Sequence, residues 1–326
     1  VGWGMRNRRY LAPWQRVDLG ETEGRGSGDA TAGRELSAED LLALQGKPAL
    51  YHCISRVVNR DKVLGPEEKE RFVRLLRLYE GFCQVRVLAF CVMSNHFHLL
   101  LEVPARPEQR MSDEDLLAHL GLLYGTTQVK KIRWELEHYR AQGNDAAAEA
   151  LRDKFFARMY DLSAFMKVVK QRFTQFFNKK HGRKGTLWED RFKSVLVEDG
   201  HAARVVAAYI DLNPLRAGLV RDPKDYRWCS YGEAVAGRVA ARAGLQRVMF
   251  EQRSGVTSVE RAAREAGNWR KVASAYREVL FRDGRAAQGE MEGGTRQSVV
   301  RTFSESEVQE VLRSGGRLSE GEMLGC

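Results

Sequence analysis

The residues best able to do chemistry lie in Asn95-His96-Phe97-His98-Leu99-Leu100-Leu101-Glu102-Val103. Successive side chains of a β-strand point to opposite faces. On a strand, His96, His98, Leu100 and Glu102 therefore share one face. Phe97, Leu99, Leu101 and Val103 share the other, which reads as a core face. Two imidazoles two residues apart can converge on one metal ion. The spacing is common, and its bland alternative is a histidine pair on a solvated face. A second feature is Tyr209-Ile210-Asp211-Leu212-Asn213. On a helix, Tyr209 and Asn213 lie one turn apart on the same face. A phenol nucleophile and an amide oxygen ligand could thus face one site. The alternative is a packed tyrosine, with Asn213 ending the helix before Pro214. A third feature is the segment from Met166 to Lys193, with nine basic residues: Lys167, Lys170, Arg172, Lys179, Lys180, Arg183, Lys184, Arg191 and Lys193. Only Glu189 and Asp190 oppose them, and Phe177, Trp188 and Phe192 interleave. Cations beside stacking rings suit single-stranded nucleic acid. The alternative is a solvated basic face whose aromatics are core, as Phe165, Phe173 and Phe176 are expected to be in either case.

These residues need elements to position them. The run from Ala49 to Val57 has strand length and mixed alternation. Gly65-Pro66 then opens a helix, with Glu67 and Glu68 in its first turn and Phe72, Leu75, Leu76 and Tyr79 on one face. Strands follow at Val85 to Met93 and His96 to Val103, joined by a tight turn at Ser94-Asn95. Residues 105 to 160 read as a helical insertion, in which Ser112 caps a helix. Leu162 to Asn178 is a further helix with Phe165, Met166, Val169, Phe173, Phe176 and Phe177 at helical spacing. Val195 to Val197 offers another strand, and His201 to Asn213 a helix ended by Pro214. Strand, helix and hairpin-linked strands in this order predict an α+β layer with antiparallel pairing. Residues 1–46 do not read as core and are expected to be a flexible segment, with a polar, glycine-rich stretch from Gly20 to Gly33. After about Tyr231 the pattern predicts a helix over 258–280, a polar linker over 282–296 and a short helix opened by Ser304-x-x-Glu307. The organisation expected is thus a 1–46 segment, a 47–232 catalytic domain with its insertion, and a 233–326 helical and polar extension.

The chain has 326 residues, 53 Lys plus Arg against 43 Asp plus Glu, and a formal net charge of +10. Such a balance suits a polyanionic partner. No apolar run approaches the ~18 residues of a membrane span, and the opening residues lack a secretory pattern. The five cysteines are scattered, with no CxxC pair, which argues against a disulfide framework and a thiolate zinc site. A cytoplasmic, nucleoid-associated protein with no membrane partner is the expectation. No phosphate loop of the G-x-x-x-x-G-K-[ST] type is present.

Taken together, Tyr51-His52, Arg56, His96-Phe97-His98, Gln171-Arg172-Phe173-Thr174, Gly185-x-x-Trp188, Arg191-Phe192 and the run from Tyr209 to Val220 resemble the REP-associated tyrosine transposases. These belong to the HUH single-tyrosine superfamily. The resemblance spans roughly Ala49 to Gly232. It implies a ferredoxin-like antiparallel sheet with helices on one face. It implies His96 and His98 as ligands of a divalent cation, Mg²⁺ or Mn²⁺, with Asn213 completing the set, and Tyr209 as nucleophile. Imidazole and amide ligands suit Mn²⁺ at least as well as Mg²⁺. The implied activity is a metal-dependent single-stranded DNA endonuclease and strand transferase. It would cut near DNA hairpins through a 5′-phosphotyrosine. The contrasting reading is a hairpin-binding regulatory protein without chemistry on the same fold. Lys170, Arg172, Lys179, Lys180, Arg183, Lys184, Trp188, Arg191 and Lys193 are the expected DNA contacts. Glu102 is a lesser candidate to support the histidines, and His52 and Arg56 face either the site or solvent. A monomer using its own Tyr209 and a dimer exchanging tyrosines both remain open.

Overall fold

A computed structural model describes residues 47–197, 200–250 and 269–281. The expected segment 1–46, the linker over 282–296, the Ser304 helix and the first part of the 258–280 helix lie outside these residues. The elements in chain order are β1 (Ala49–Arg56), α1 (Pro66–Cys83), β2 (Arg86–Val92), β3 (His96–Val103), α2 (Asp113–Leu120), α3 (Thr126–Ala141), α4 (Asp145–Phe156), α5 (Leu162–Lys180), β4 (Lys193–Val197), α6 (His201–Arg216), α7 (Ser230–Val235), α8 (Val239–Phe250) and α9 (Trp269–Leu280).

The four strands form one sheet in the order β2-β3-β1-β4, with every pair antiparallel. With α1 between β1 and β2, and α5 between β3 and β4, this is the ferredoxin-like topology. The helices α2, α3 and α4 occupy the β3–α5 connection. The Ser112 hydroxyl accepts from the Asp115 N–H at 3.1 Å and caps α2.

One sheet face carries Tyr51, Cys53, Phe97, Leu99 and Leu101 and packs against α1, α5 and the insertion helices. Its centre is aromatic. Phe72 lies 4.6 Å from Phe97 and 5.2 Å from Phe173, and Trp188 lies 5.3 Å from Phe97, between ring centroids. Such pairs add about 0.5–1.5 kcal/mol each beyond their burial.

The opposite face is covered as well, which departs from the expectation of helices on one face. Leu50, Leu88, Ala89, Cys91 and Leu100 form a second core with α6, α8 and α9. Leaving that apolar surface open would cost roughly 25 cal/mol per Å². Leu245, Val248, Val272, Tyr276 and Leu280 lie in this core, so packing continues past the expected boundary at 232. At Gly244 a Cβ would meet the Leu88 carbonyl oxygen at 2.6 Å. That absent side chain lets α8 sit directly on the irregularity between Val87 and Ala89 in β2.

The helix α6 begins at Gly200, whose φ of 77° is open to glycine and strained for other residues. It runs through Pro214 to Arg216, beyond the expected end at Asn213. Proline lacks the N–H that would reach the Ile210 carbonyl. The Asn213 side-chain amide donates to that carbonyl at 3.3 Å, and to the Tyr209 carbonyl at 2.9 Å. The side chain thus repairs the bond that Pro214 removes.

Candidate active site

Register on the sheet brings the histidines together. Ile54 pairs with His98 on β3 and with Lys193 on β4, while Arg56 pairs with His96. Residues opposite one another across a ladder share a face. His52, Ile54 and Arg56 of β1 therefore share a face with His96, His98 and Lys193. The α6 helix crosses this face and delivers Tyr209. The Tyr209 ring stands edge-on to His98, with centroids 5.6 Å apart, and edge-on to His52 at 6.2 Å. Arg216, two turns further along α6, places its guanidinium 4.9 Å from the Tyr209 ring centroid. The sheet thus brings together three of the four expected core residues of the site, His96, His98 and Tyr209. It adds His52, which sequence left undecided, and Arg216, which sequence missed. The i,i+7 spacing of Tyr209 and Arg216 was the available signal.

Each imidazole of the His-x-His pair is held through Nδ1. The Asn95 amide nitrogen donates to the Arg60 carbonyl at 2.8 Å, which turns its oxygen to His96 Nδ1 at 2.7 Å. An amide oxygen only accepts, so the His96 proton sits on Nδ1 and Nε2 keeps its lone pair. His98 Nδ1 lies 3.1 Å from His52 Nε2, and the two rings are nearly parallel, with centroids 5.4 Å apart and a 9° interplanar angle. His96 and His98 rings are 5.1 Å apart and nearly perpendicular. Burial lowers His52 to a pKa of about 4. Burial, then the nearby Arg56 charge, lowers His96 to about 4. Burial, His52, His96 and Arg56 together hold His98 well below the ordinary histidine range. At neutral pH all three are uncharged imidazoles.

Neutral imidazoles held through one ring nitrogen, with the other open to an ion, are the usual form of metal-binding histidines. The residues present therefore fit a divalent cation held by His96 and His98. Among the described residues, no three His, Cys, Asp or Glu side chains are grouped to share one ion. A cation here would draw its remaining ligands from other groups. The Asn213 side-chain nitrogen is committed to two α6 carbonyls.

The back of α6 is anchored. Asp211, fully buried between Tyr209 and Asn213 in sequence, accepts from the Ser230 hydroxyl at 2.8 Å, the Tyr231 N–H at 3.0 Å and the Tyr276 hydroxyl at 2.7 Å. It ties the helix to α7 and α9. Glu102 shares the histidine face but is ion-paired to Arg86 at 2.8 Å and Arg247 at 2.7 Å. It joins β3 to β2 and α8 and has no contact with the histidines, so it does not support them.

The basic segment divides into buried and exposed parts. Trp188 is 6% exposed, and its indole N–H donates to Thr174 Oγ1 at 3.0 Å. It packs against Phe72, Phe97 and Phe173, so it is a core residue and not the expected base-stacking contact. Burial of an indole outweighs the basic character of its sequence neighbours. Phe177 is likewise core. Lys180 is paired with Glu67 and Glu68, each at 2.6 Å. Lys170 is half-buried, donates to the Asp190 carbonyl at 2.9 Å and is lowered to a pKa of about 8 by burial. Arg172, Lys179, Arg183, Lys184, Arg191 and Lys193 remain exposed. Among the described residues, no helix is long and apolar enough to cross a membrane.

A solved structure described as a REP-associated tyrosine transposase bound to a REP hairpin is similar to this chain at 13% identity and a TM-score of 0.37, covering 64% of this chain and 87% of that one. No curated protein sequence matches the chain. Residues 47–113 match the family model described as "Transposase IS200 like". Tyr209 and Asn213 lie outside the matched residues. Over the segment that holds β1, α1, the β2–β3 hairpin and both histidines of His96-Phe97-His98, the chain carries the sequence pattern of the IS200-like transposases.

Proposed function

We propose that this protein is a divalent-metal-dependent nuclease and strand transferase acting on single-stranded DNA near hairpins, with Tyr209 as its nucleophile. The observation that carries the reading is the meeting of Tyr209 with His98 and His52 on one sheet face. The transposase pattern over residues 47–113 supports it, as does the net charge of +10. Such an enzyme would work at the nucleoid.

His96 and His98 would hold Mg²⁺ or Mn²⁺, with the Asn213 oxygen as a further ligand. When bound, the cation supplies positive charge at a non-bridging phosphate oxygen. Tyr209 attacks phosphorus through its hydroxyl oxygen. A bond forms from that oxygen to phosphorus, and the bond from phosphorus to the upstream 3′ oxygen breaks. The phenol gives up a proton and the leaving 3′ oxygen gains one. The products are a 5′-phosphotyrosine link and a free 3′-hydroxyl. A second 3′-hydroxyl can reverse the step and join strands without an external energy source. Arg216 sets a cation over the ring that carries negative charge during attack, and Arg56 and Lys193 add positive charge to the same face. The exposed cations Arg172, Lys179, Arg183, Lys184 and Arg191 would track the phosphate backbone.

The test is a labelled single-stranded hairpin incubated with Mn²⁺ or Mg²⁺ and run on a denaturing gel. Wild type is expected to give a metal-dependent, slower protein–DNA band that Tyr209→Phe and His96→Ala both lose. Cleavage without an adduct would make water the nucleophile and overturn the Tyr209 assignment. Salt-sensitive binding without cleavage would favour a regulatory hairpin binder.

A further inference from the structure

Three imidazoles meet on the sheet face that Tyr209 joins, yet the His-x-His pattern accounts for only two. His52, on the neighbouring strand, is 3% exposed. Its Nε2 lies 3.1 Å from His98 Nδ1, and its ring is nearly perpendicular to that of Tyr209, with centroids 6.2 Å apart. One proton must lie between these two nitrogens, and its placement matters. If His52 Nε2 carries it, His98 Nδ1 is the acceptor, and a neutral His98 then has its proton on Nε2 and no lone pair there. If His98 Nδ1 carries it, Nε2 of His98 is a ligand. The adjacent histidine shows which arrangement this face is built for. Asn95, fixed by the Arg60 carbonyl, presents an oxygen to His96 Nδ1, so His96 already has its lone pair on Nε2. His96 and His98 can both present Nε2 to one cation only when both carry their proton on Nδ1.

Resting on the nuclease reading above, we infer that His52 is a positioning residue that accepts the Nδ1 proton of His98, fixing His98 in the metal-ligating tautomer and holding its ring against Tyr209. His52 is to His98 what Asn95 is to His96. Its own Nδ1 then carries its proton, and Nε2 is committed to His98, so His52 is a support for the ligand pair and not a third member of it. Partners that orient a ligating histidine are typically worth 10–100-fold in metal affinity.

The experiment uses the full chain and three variants, His52→Phe, His52→Gln and His96→Ala. The first readout is made without metal. Long-range ¹⁵N correlation of the histidine rings is expected to show His98 protonated on Nδ1 in wild type and in His52→Gln, whose side-chain oxygen can accept the same proton. In His52→Phe that preference is expected to be lost. The second readout is Mn²⁺ affinity by calorimetry without DNA. His52→Phe is expected to bind about 10–100-fold more weakly, and His52→Gln within about threefold of wild type. His98 protonated on Nε2 in wild type would overturn the inference. So would wild-type Mn²⁺ affinity in folded His52→Phe. Failure of the nuclease reading looks different: no His96-dependent Mn²⁺ binding in wild type, with the tautomer measurement still deciding the role of His52. Should His52→Phe fail to fold, wild type and His52→Gln give the decision through the tautomer alone.

Discussion

Tyr209 and His98 of the same chain meet with ring centroids 5.6 Å apart. The nucleophile and the cation ligand of the proposed reaction therefore belong to one site within one polypeptide. A mixture of Tyr209→Phe and His96→Ala proteins is expected to form no more hairpin adduct than either variant alone. The gel assay reads this directly. Restored adduct in the mixture would mean that tyrosines are exchanged between two subunits.

Asp211 predicts a pH dependence of stability. Burial pushes its carboxyl up from 3.8 to about 6, against the opposing effect of its hydrogen bonds. The folded protein thus holds a proton that the unfolded chain releases between about pH 4 and pH 6. Stability from this group is full below that window and falls as pH rises through it, by about 3 kcal/mol in all. Asp211→Asn removes the titration and keeps an acceptor for Ser230 and Tyr231. Relative to wild type, the variant is expected to gain about 3 kcal/mol between pH 4 and pH 7.5 in denaturant unfolding. Parallel curves at the two pH values would show that Asp211 ionises freely in the fold.

The division within the basic segment predicts a matching division in binding. Replacing both Arg183 and Lys184 by Ala is expected to weaken hairpin binding and to lower the slope of log K against log salt by about 0.7 for each phosphate that is no longer neutralised. Lys180→Ala is expected to leave that slope nearly unchanged, because Glu67 and Glu68 already neutralise the lysine. Trp188→Ala is expected to cost about 3–5 kcal/mol of stability. Titrations over a salt series, alongside unfolding curves, separate these outcomes.

Glu102 is expected to matter for the fold and not for the cation. Its carboxylate lies between Arg86 and Arg247. Glu102→Gln removes the carboxylate charge that Arg86 and Arg247 share, and the folded state is expected to lose stability. Mn²⁺ affinity of the folded variant, measured at low temperature, is expected to match wild type. A drop in affinity would return Glu102 to the support of the histidines.

What could be read from the sequence was what is local. The two-residue period of β3 gave the shared face of His96 and His98, and the four-residue spacing gave that of Tyr209 and Asn213. The order of strands and helices gave the α+β layer. What could not be read depended on register between distant segments. Nothing near His52 in sequence says that β1 sets it beside His98. The indole of Trp188 lies among lysines and arginines in the chain but among phenylalanines in space. The covering of the second sheet face by α8 and α9 rests on contacts made across long stretches of chain. Pro214 marked a helix end by the usual rule, and only the Asn213 side chain, bonding where proline cannot, lets α6 continue.

The anchoring of Asp211 by Tyr276 has a consequence for how the protein comes to life. Synthesis runs from the amino end, so β1 and the β2–β3 hairpin emerge first and can bring His52, His96 and His98 into register early. The helix bearing Tyr209 follows, but its buried carboxylate meets the Tyr276 hydroxyl only once α9 has left the ribosome. The histidine face is thereby built ahead of Tyr209, whose footing arrives late. Under the proposed reading, a nascent chain would reach DNA before its tyrosine is held, and a messenger cut short ahead of Trp269 would encode a protein with its histidines in register and its tyrosine poorly held.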